Sequence, residues 1–275
     1  MASSNLAPRT NELGSLIGRV ALITGAGSGL GRATAITMAE RGAIIVGCDI
    51  AAEGLAATRE LLFGEGHLEL TGDISQQDAV NNIVNRAIEK YGQIDILVNS
   101  AGIAEGAGAT LDHPLEHWQR VIDTNLTGTY LMCQSVARVM QSRRSGVILN
   151  LSSIAGVIGL PRRTAYSASK AAVTMITRVL ASEWAPFGIR VNAVAPGYIH
   201  TPLTEKLVAE GRLDMAAIIR RSPTGTMGSS QDVADALAFL ASDQATFISG
   251  VVLPVDGAYT AYGAPEDAYP GALNA

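Results

Sequence analysis

The chain has 275 residues, 48% of them apolar and 16% charged, with a net charge of −5. That balance excludes global disorder, and the scattered basic residues leave no electrostatic footprint for nucleic acid. No apolar run reaches the ~18–20 residues of a membrane span, and the polar first sixteen residues lack the apolar core of a signal peptide.

In chain order, residues 1–17 read as a flexible arm. A β-branched run then predicts a strand at Val20–Thr24, and apolar periodicity near 3.6 predicts a helix at Gly31–Arg41. The alternation continues with strand Ala43–Cys48, helix Ala52–Phe63, strand His67–Thr71 and helix Gln76–Tyr91. Strand Ile94–Asn99 leads to one long helix, Leu115–Ser142, then strand Gly146–Leu151, helix Ala165–Trp184 and strand Arg190–Ala195. Residues 198–226 are an insertion with helical turns at Thr204–Glu210 and Met215–Arg220. Helix Ser229–Ser242, strand Gly250–Val255 and a tail, 258–275, complete the chain. Continuously apolar strands are those buried on both faces of a parallel sheet. The expected fold is therefore a single α/β domain over 18–257, a doubly wound parallel sheet of about seven strands with helices on both faces.

Cys48 and Cys133, each in an apolar run, read as buried thiols in a reducing cytoplasm. No cysteine–histidine cluster has metal-ligand spacing, so no metal is expected; Pro114 interrupts the His113/His117 pair.

Three features carry chemistry. The first strand runs directly into Thr24-Gly25-Ala-Gly27-Ser28-Gly29-Leu30-Gly31 ahead of a helix, a turn in which missing Cβ atoms let the backbone approach a pyrophosphate. Asp49 ends the second strand, where a carboxylate can accept both hydroxyls of an adenine-side ribose or simply cap the next helix. Tyr166 and Lys170, one of three lysines in the chain, share a helix face at i, i+4. There the ammonium is expected to pull the phenol pKa down from ~10, and together with a positively charged oxidised nicotinamide ring to bring it toward ~7, which takes about 4 kcal/mol, or the pair is a tyrosine packed on a lysine stem.

Together these motifs resemble the short-chain dehydrogenase/reductase family over nearly all of Gly18–Gly257. The glycine pattern matches Thr24, Gly25, Gly29 and Gly31. The adenine-contacting aspartate falls on Asp73, beside Ile74. The Asn-Asn-Ala-Gly motif appears as Asn99-Ser100-Ala101-Gly102, and Ser100 is expected to affect sheet packing more than cofactor binding. The resemblance implies a catalytic set of Asn125, Ser153, Tyr166 and Lys170, with Ser152 the weaker serine candidate. It implies that Lys170 also holds the nicotinamide ribose, and that the Asn125 backbone holds a water linking Lys170 to solvent. It further implies a nicotinamide contact from Pro196, Gly197, Ile199 and Thr201, and a homotetramer built on helix pairs. The closing Asp-Gly-Gly of the family becomes Asp256-Gly257-Ala258.

The substrate wall is expected from Ile103, Ile154, Leu160, Tyr198, Leu203, Leu207 and Met215, with Ser153 on the reacting oxygen; this apolar set suits a cyclic or aromatic secondary alcohol or ketone. Arg162 and Arg163 read as a solvated surface pair, or as partners of a substrate carboxylate or phosphate. The expected activity is NAD-dependent hydride transfer between a small-molecule secondary alcohol and its ketone. The alternatives are an NADPH-dependent ketone or 3-oxoacyl reductase, and a dinucleotide-binding regulatory protein without turnover.

Overall fold

Each central strand divides its side chains between two cores. In a computed structural model describing residues 14–104, 109–211 and 213–264, β1 (Val20–Thr24) sends Ala21 and Ile23 to one face and Val20 and Leu22 to the other. β4 (Ile96–Asn99) and β5 (Gly146–Leu151) alternate likewise, Ile96, Val98, Val147 and Leu149 opposite Leu97 and Ile148. Period-two alternation with both faces apolar requires helices above and below. α1 (Gly29–Glu40) and α9 (Ser230–Ala241) cover the first face through Ala35, Met38, Val233 and Leu237. α3 (Gln77–Tyr91), α5 (Gly128–Arg143) and α6 (Thr164–Trp184) cover the second through Ile83, Met132, Val136 and Leu180.

With β2 (Ile44–Asp49), β3 (Leu68–Thr71), β6 (Ile189–Pro196) and β9 (Val252–Val255), the sheet has seven parallel strands in the order β3-β2-β1-β4-β5-β6-β9. The order reverses between β1 and β4, whose ends are level, Thr24 opposite Asn99. The carboxyl ends of strands flanking such a reversal leave a crevice. The short strands β7 (Ile199–His200) and β8 (Gly228–Ser229) pair separately and brace the segment holding α7 (Pro202–Ala209) and α8 (Met215–Arg221).

Three expectations change. The long helix Leu115–Ser142 is instead α4 (Leu115–Ile122), a wide π-type turn at Asp123–Thr127, and α5. The helix after Asp49, α2 (Ala52–Arg59), stops short of Phe63. The arm is not loose at its end: Leu16 is 1% exposed in the core beside α1, and its N–H donates to the Arg41 carbonyl at 2.8 Å. Residues 1–13, and Tyr269 with the rest of 265–275, lie outside the described residues.

The departure at the end of the domain carries a backbone cost. Ala258 adopts φ 67° in a turn organised by Asp256, whose carboxylate accepts from the N–H of Ala258 and the N–H and hydroxyl of Thr260. A Cβ in the left-handed region meets the following carbonyl. Ala258→Gly should stabilise the protein by about 0.5–1 kcal/mol, read as a higher denaturation midpoint at unchanged m-value; an unchanged or lower midpoint would show that the turn carries no strain.

Candidate active site

The crevice at the β1/β4 reversal is a cleft of about 1070 Å³. Its floor at one end is the glycine turn. Gly31 is needed for close packing, since a Cβ there would sit 2.1 Å from the Gly25 carbonyl oxygen, while Gly29, at φ 50°, has open space in front of it. Gly25, Ser28, Leu30 and these two glycines all line the cleft, at the N-terminus of α1, where backbone N–H groups favour an anion. The hydroxyl of Thr24 accepts from the N–H groups of Ser100 and Ala101, both at 3.1 Å, tying the turn to the segment after β4.

Asp49 borders the same end. Its two oxygens accept from the N–H of Gly27 at 2.9 Å and of Ala51 at 3.0 Å, which leaves each oxygen a further lone pair. A Cβ on Gly27 would lie 2.9 Å from Asp49 Oδ2, so this glycine, not singled out from the sequence, is what admits the carboxylate. Arg32 is not among the residues lining the cleft. Its guanidinium donates to the carbonyls of Gly27 and Gly54, and its Nε to Thr58 Oγ1, tying the turn to α2. Ile50, beside Asp49, is uncharged and 72% exposed. Asp73 and Ile74 continue the wall.

At the other end the cleft meets Ser153, Tyr166 and Lys170. β5 ends at Leu151, and Ser153 follows with its hydroxyl accepting from the Ala155 N–H at 3.1 Å, which caps the short turn Ile154–Gly156. Lys170 projects from α6 and donates from Nζ to the Leu151 carbonyl at 2.7 Å, with Nζ 5.7 Å from the Tyr166 ring centroid. Burial draws its ammonium down to about 8. The Tyr166 phenol is raised above its usual value by burial, against lowering by its hydrogen bond with Ser153 and by the charge of Arg163. In the chain by itself, losing water costs the phenolate more than Ser153 and Arg163 return, and the Lys170 ammonium is bonded to Leu151; the oxidised nicotinamide ring is the second positive charge on which the expected lowering of the phenol depends.

Asn125 lies behind this end, fully buried at the centre of the π-type turn. Its Oδ1 accepts from the Ile103 N–H at 2.8 Å, and its Nδ2 donates to the Ile103 carbonyl at 2.9 Å and to Ser169 Oγ at 3.1 Å. The backbone carbonyl expected to hold a water accepts from the Thr129 hydroxyl at 2.8 Å. Asn99 lies under the sheet rather than in the cleft, donating to Asn150 Oδ1 at 2.9 Å and to Cys133 Sγ at 3.2 Å. Ser152 is structural, bonded to the Lys170 carbonyl and the Thr174 hydroxyl.

Ala101, Gly102, Pro196, Gly197, Ile199 and Thr201 line the cleft as expected, and so does Ser100, whose side was expected to be sheet packing. The apolar substrate wall is the main correction. Ile154, Leu160, Tyr198, Leu207 and Met215 are not among the described lining residues, and the side chain of Leu203 lies outside the description. Ile154 and Leu207 are packed inward and Tyr198 meets Tyr259 edge-on. Of the expected wall Ile103 does line the cleft, joined by Pro202 and Thr204 and by a polar stripe of Glu116, Gln119, Arg120 and Asp123 from α4 into the wide turn. Its i, i+3, i+4, i+7 spacing was a readable signal of one shared helix face.

A family model described as enoyl-(acyl carrier protein) reductase matches residues 25–260. The chain belongs to the short-chain dehydrogenase/reductase family. It is 45% identical over 245 residues to a cis-4-hydroxycyclohexanecarboxylate dehydrogenase of Sinomonas cyclohexanicum, covering 88% of this chain and 97% of that one. It is 40% identical over 244 residues to the 3-oxoacyl-acyl-carrier-protein reductase FabG of Thermotoga maritima, covering 88% and 98%. The crystal structure of levodione reductase superposes with a TM-score of 0.85 at 34% identity, covering 89% and 98%. As a short-chain dehydrogenase/reductase, the chain is an oxidoreductase using a nicotinamide dinucleotide.

Asn125→Ala would leave the N–H and carbonyl of Ile103 without their partners, a loss of roughly 1–3 kcal/mol. Chemical denaturation should show that drop; a midpoint equal to that of the unaltered protein would show that water replaces the amide.

Proposed function

We propose that this short-chain dehydrogenase/reductase is an NAD(H)-dependent alcohol dehydrogenase interconverting a hydrophobic cyclic or aromatic secondary alcohol and its ketone. One observation carries the reading: Ser153, Tyr166 and Lys170 meet at one end of a cleft whose other end holds Asp49. The open glycine turn and the spare lone pairs of Asp49 suit a dinucleotide, which when bound accepts or supplies the hydride. The Ser153 hydroxyl orients the substrate oxygen and stabilises charge developing on it. Tyr166 exchanges a proton with that oxygen. Lys170, desolvated and fixed on Leu151, places a positive charge beside the phenol and is the group to hold the nicotinamide ribose hydroxyls. Asn125 holds Ile103, and with it the cleft wall after β4.

The cyclic substrate is supported by the relative named for a hydroxycyclohexanecarboxylate and by the levodione reductase fold. The relative named as a 3-oxoacyl reductase supports the second reading, an NADPH-dependent reductase. Asp49 weighs against it: a 2′-phosphate beside that carboxylate is repelled, and neither Ile50 nor the committed Arg32 offers a cation. We further propose a cytoplasmic homotetramer. Tyr130 of α5 and Met175 and Val179 of α6 are exposed apolar groups on the helix pair that would meet a second copy.

Tyr166→Phe should lower turnover by at least ~10²–10⁴-fold while NAD(H) binding, followed by fluorescence, persists. Because the phenol is raised, alcohol oxidation, which needs the phenolate, should accelerate with rising pH, and ketone reduction, which needs the phenol, should slow. Retention of most activity in Tyr166→Phe would assign the proton transfer elsewhere.

The unaltered protein should prefer NAD(H) to NADP(H) by ~10²-fold or more in kcat/KM, about 2.7 kcal/mol. Asp49→Ala should erase most of that preference, and adding Ile50→Arg should turn it toward NADP(H). Equal use of both cofactors by the unaltered protein would place Asp49 off the ribose.

A further inference from the structure

The turn after β9 backs the cleft wall. The N–H of Gly197, a cleft-lining residue, donates to the Val255 carbonyl at 2.9 Å, and a Cβ on Gly197 would lie 2.8 Å from that of Asp256. Tyr198 stands between Gly197 and Ile199, both in the wall, and meets Tyr259 edge-on with ring centroids 5.4 Å apart. The same turn also touches the far end of the segment bearing α7 and α8. Gly257, at φ 59°, leaves room for Thr224, whose Oγ1 would be 2.5 Å from a Cβ there.

Arg221, the last residue of α8, closes this bracket. Its guanidinium carbon lies 4.6 Å from the Tyr259 centroid and 5.2 Å from that of Tyr262, and its Nη2 donates to the Tyr262 carbonyl at 2.6 Å. Its Nη1 is buried with no hydrogen-bond partner, and among the described residues no carboxylate pairs with this cation. A half-buried guanidinium without a carboxylate is held by the ring faces, which attract it electrostatically. The desolvation of Nη1 works against that hold, so the end of α8 keeps its place only while both rings keep theirs. α7 precedes α8 in the same segment and puts Pro202 and Thr204 on the cleft.

We propose that Arg221 is a positioning residue for substrate: clasped by Tyr259 and Tyr262, it fastens the segment carrying α7 and α8 to the turn after β9 and so holds Pro202 and Thr204 at the cleft. This rests on the dehydrogenase reading of the cleft, and adds that the chain beyond Asp256 contributes to substrate binding without touching substrate. The dinucleotide end is built from other elements, the glycine turn and Asp49. Stacking of a plane on two rings is particular to a guanidinium; a lysine keeps the charge and loses the plane.

The test has two arms, both with the full chain. Kinetics use NAD+ and whichever member of a panel of alicyclic and benzylic secondary alcohols the unaltered protein oxidises fastest; hydrogen–deuterium exchange without cofactor reads the amides of α7 and α8 apart from the rest. Arg221→Met should raise KM for the alcohol by about tenfold, the range of one desolvated cation–π contact. It should leave kcat and the Kd of NAD+ each within about threefold, less than one such contact. Exchange in α7 and α8 should quicken while α1 and α9 keep their rates. Tyr262→Ala should give the same two changes, the double variant should add little to either, and Arg221→Lys should fall between Arg221→Met and the unaltered protein. An unchanged KM in Arg221→Met, or additive losses in the double variant, would overturn the proposal. So would equal losses in KM, kcat and NAD+ affinity with faster exchange in α1 and α9 as well, because Arg221 would then only support the fold. If the unaltered protein oxidises none of the alcohols and reduces none of their ketones, the dehydrogenase reading fails and the substrate role with it. Unchanged exchange of α7 and α8 in Arg221→Met would instead overturn the fastening alone.

Discussion

Lys170 carries an ammonium to a place where it is 5% exposed, and a cation taken out of water must find acceptors there or lose its charge. The Leu151 carbonyl at the end of β5 supplies one, and much of the neighbouring structure is shaped to let the ammonium reach it. Gly102 has no Cβ where one would lie 3.6 Å from Nζ and 3.2 Å from Asn125 Oδ1. Gly156 lets the turn after Ser153 rest on the α6 backbone at Lys170, where a Cβ would be 2.7 Å from the carbonyl. Ser152 bonds that same carbonyl, so the turn bearing Ser153 and the helix bearing Tyr166 are held at one fixed spacing. The positions of the serine, the tyrosine and the lysine are one packing solution rather than three.

The break between α4 and α5 belongs to the same solution. A continuous helix would bond its own backbone at every step and leave Asn125 a poor helix former. The π-type turn places that side chain instead between Ile103 on the segment after β4 and Ser169 on α6. Three elements distant in sequence thus meet at one amide. Wide turns of this kind are frequent at functional sites because they free a side chain to bond across elements.

At the far end a carboxylate has a comparable part. Asp49 closes the gap between the glycine turn and α2 with two backbone hydrogen bonds, and Arg32 closes it again from the other side. These contacts settle where each charge is spent. Arg32 is used on carbonyls, and the carboxylates of Asp49 and Asp73 line this end of the cleft.

The amino-acid sequence by itself determined the alternating strands and helices, the doubly wound sheet, the glycine turn and the Tyr166–Lys170 pair. These depend on local periodicity, on the steric freedom of glycine and on i, i+4 spacing, all written in contiguous residues. Strand ends were legible to within a residue or two because an apolar run gives way there to glycine or serine, as after Thr24, Asn99 and Leu151. Only the tertiary structure decided that Leu16 belongs to the core, that Asn99 lies beneath the sheet, and that Ile154, Tyr198 and Leu207 stand off the cleft wall while Glu116, Gln119 and Arg120 form it. Nothing local distinguishes an apolar side chain facing a core from one facing a cleft, since both are buried and both carry the same hydropathy. The direction of the Tyr166 shift was likewise out of reach, because it depends on how much water the fold removes from a phenol, and that is set by elements far apart in the chain.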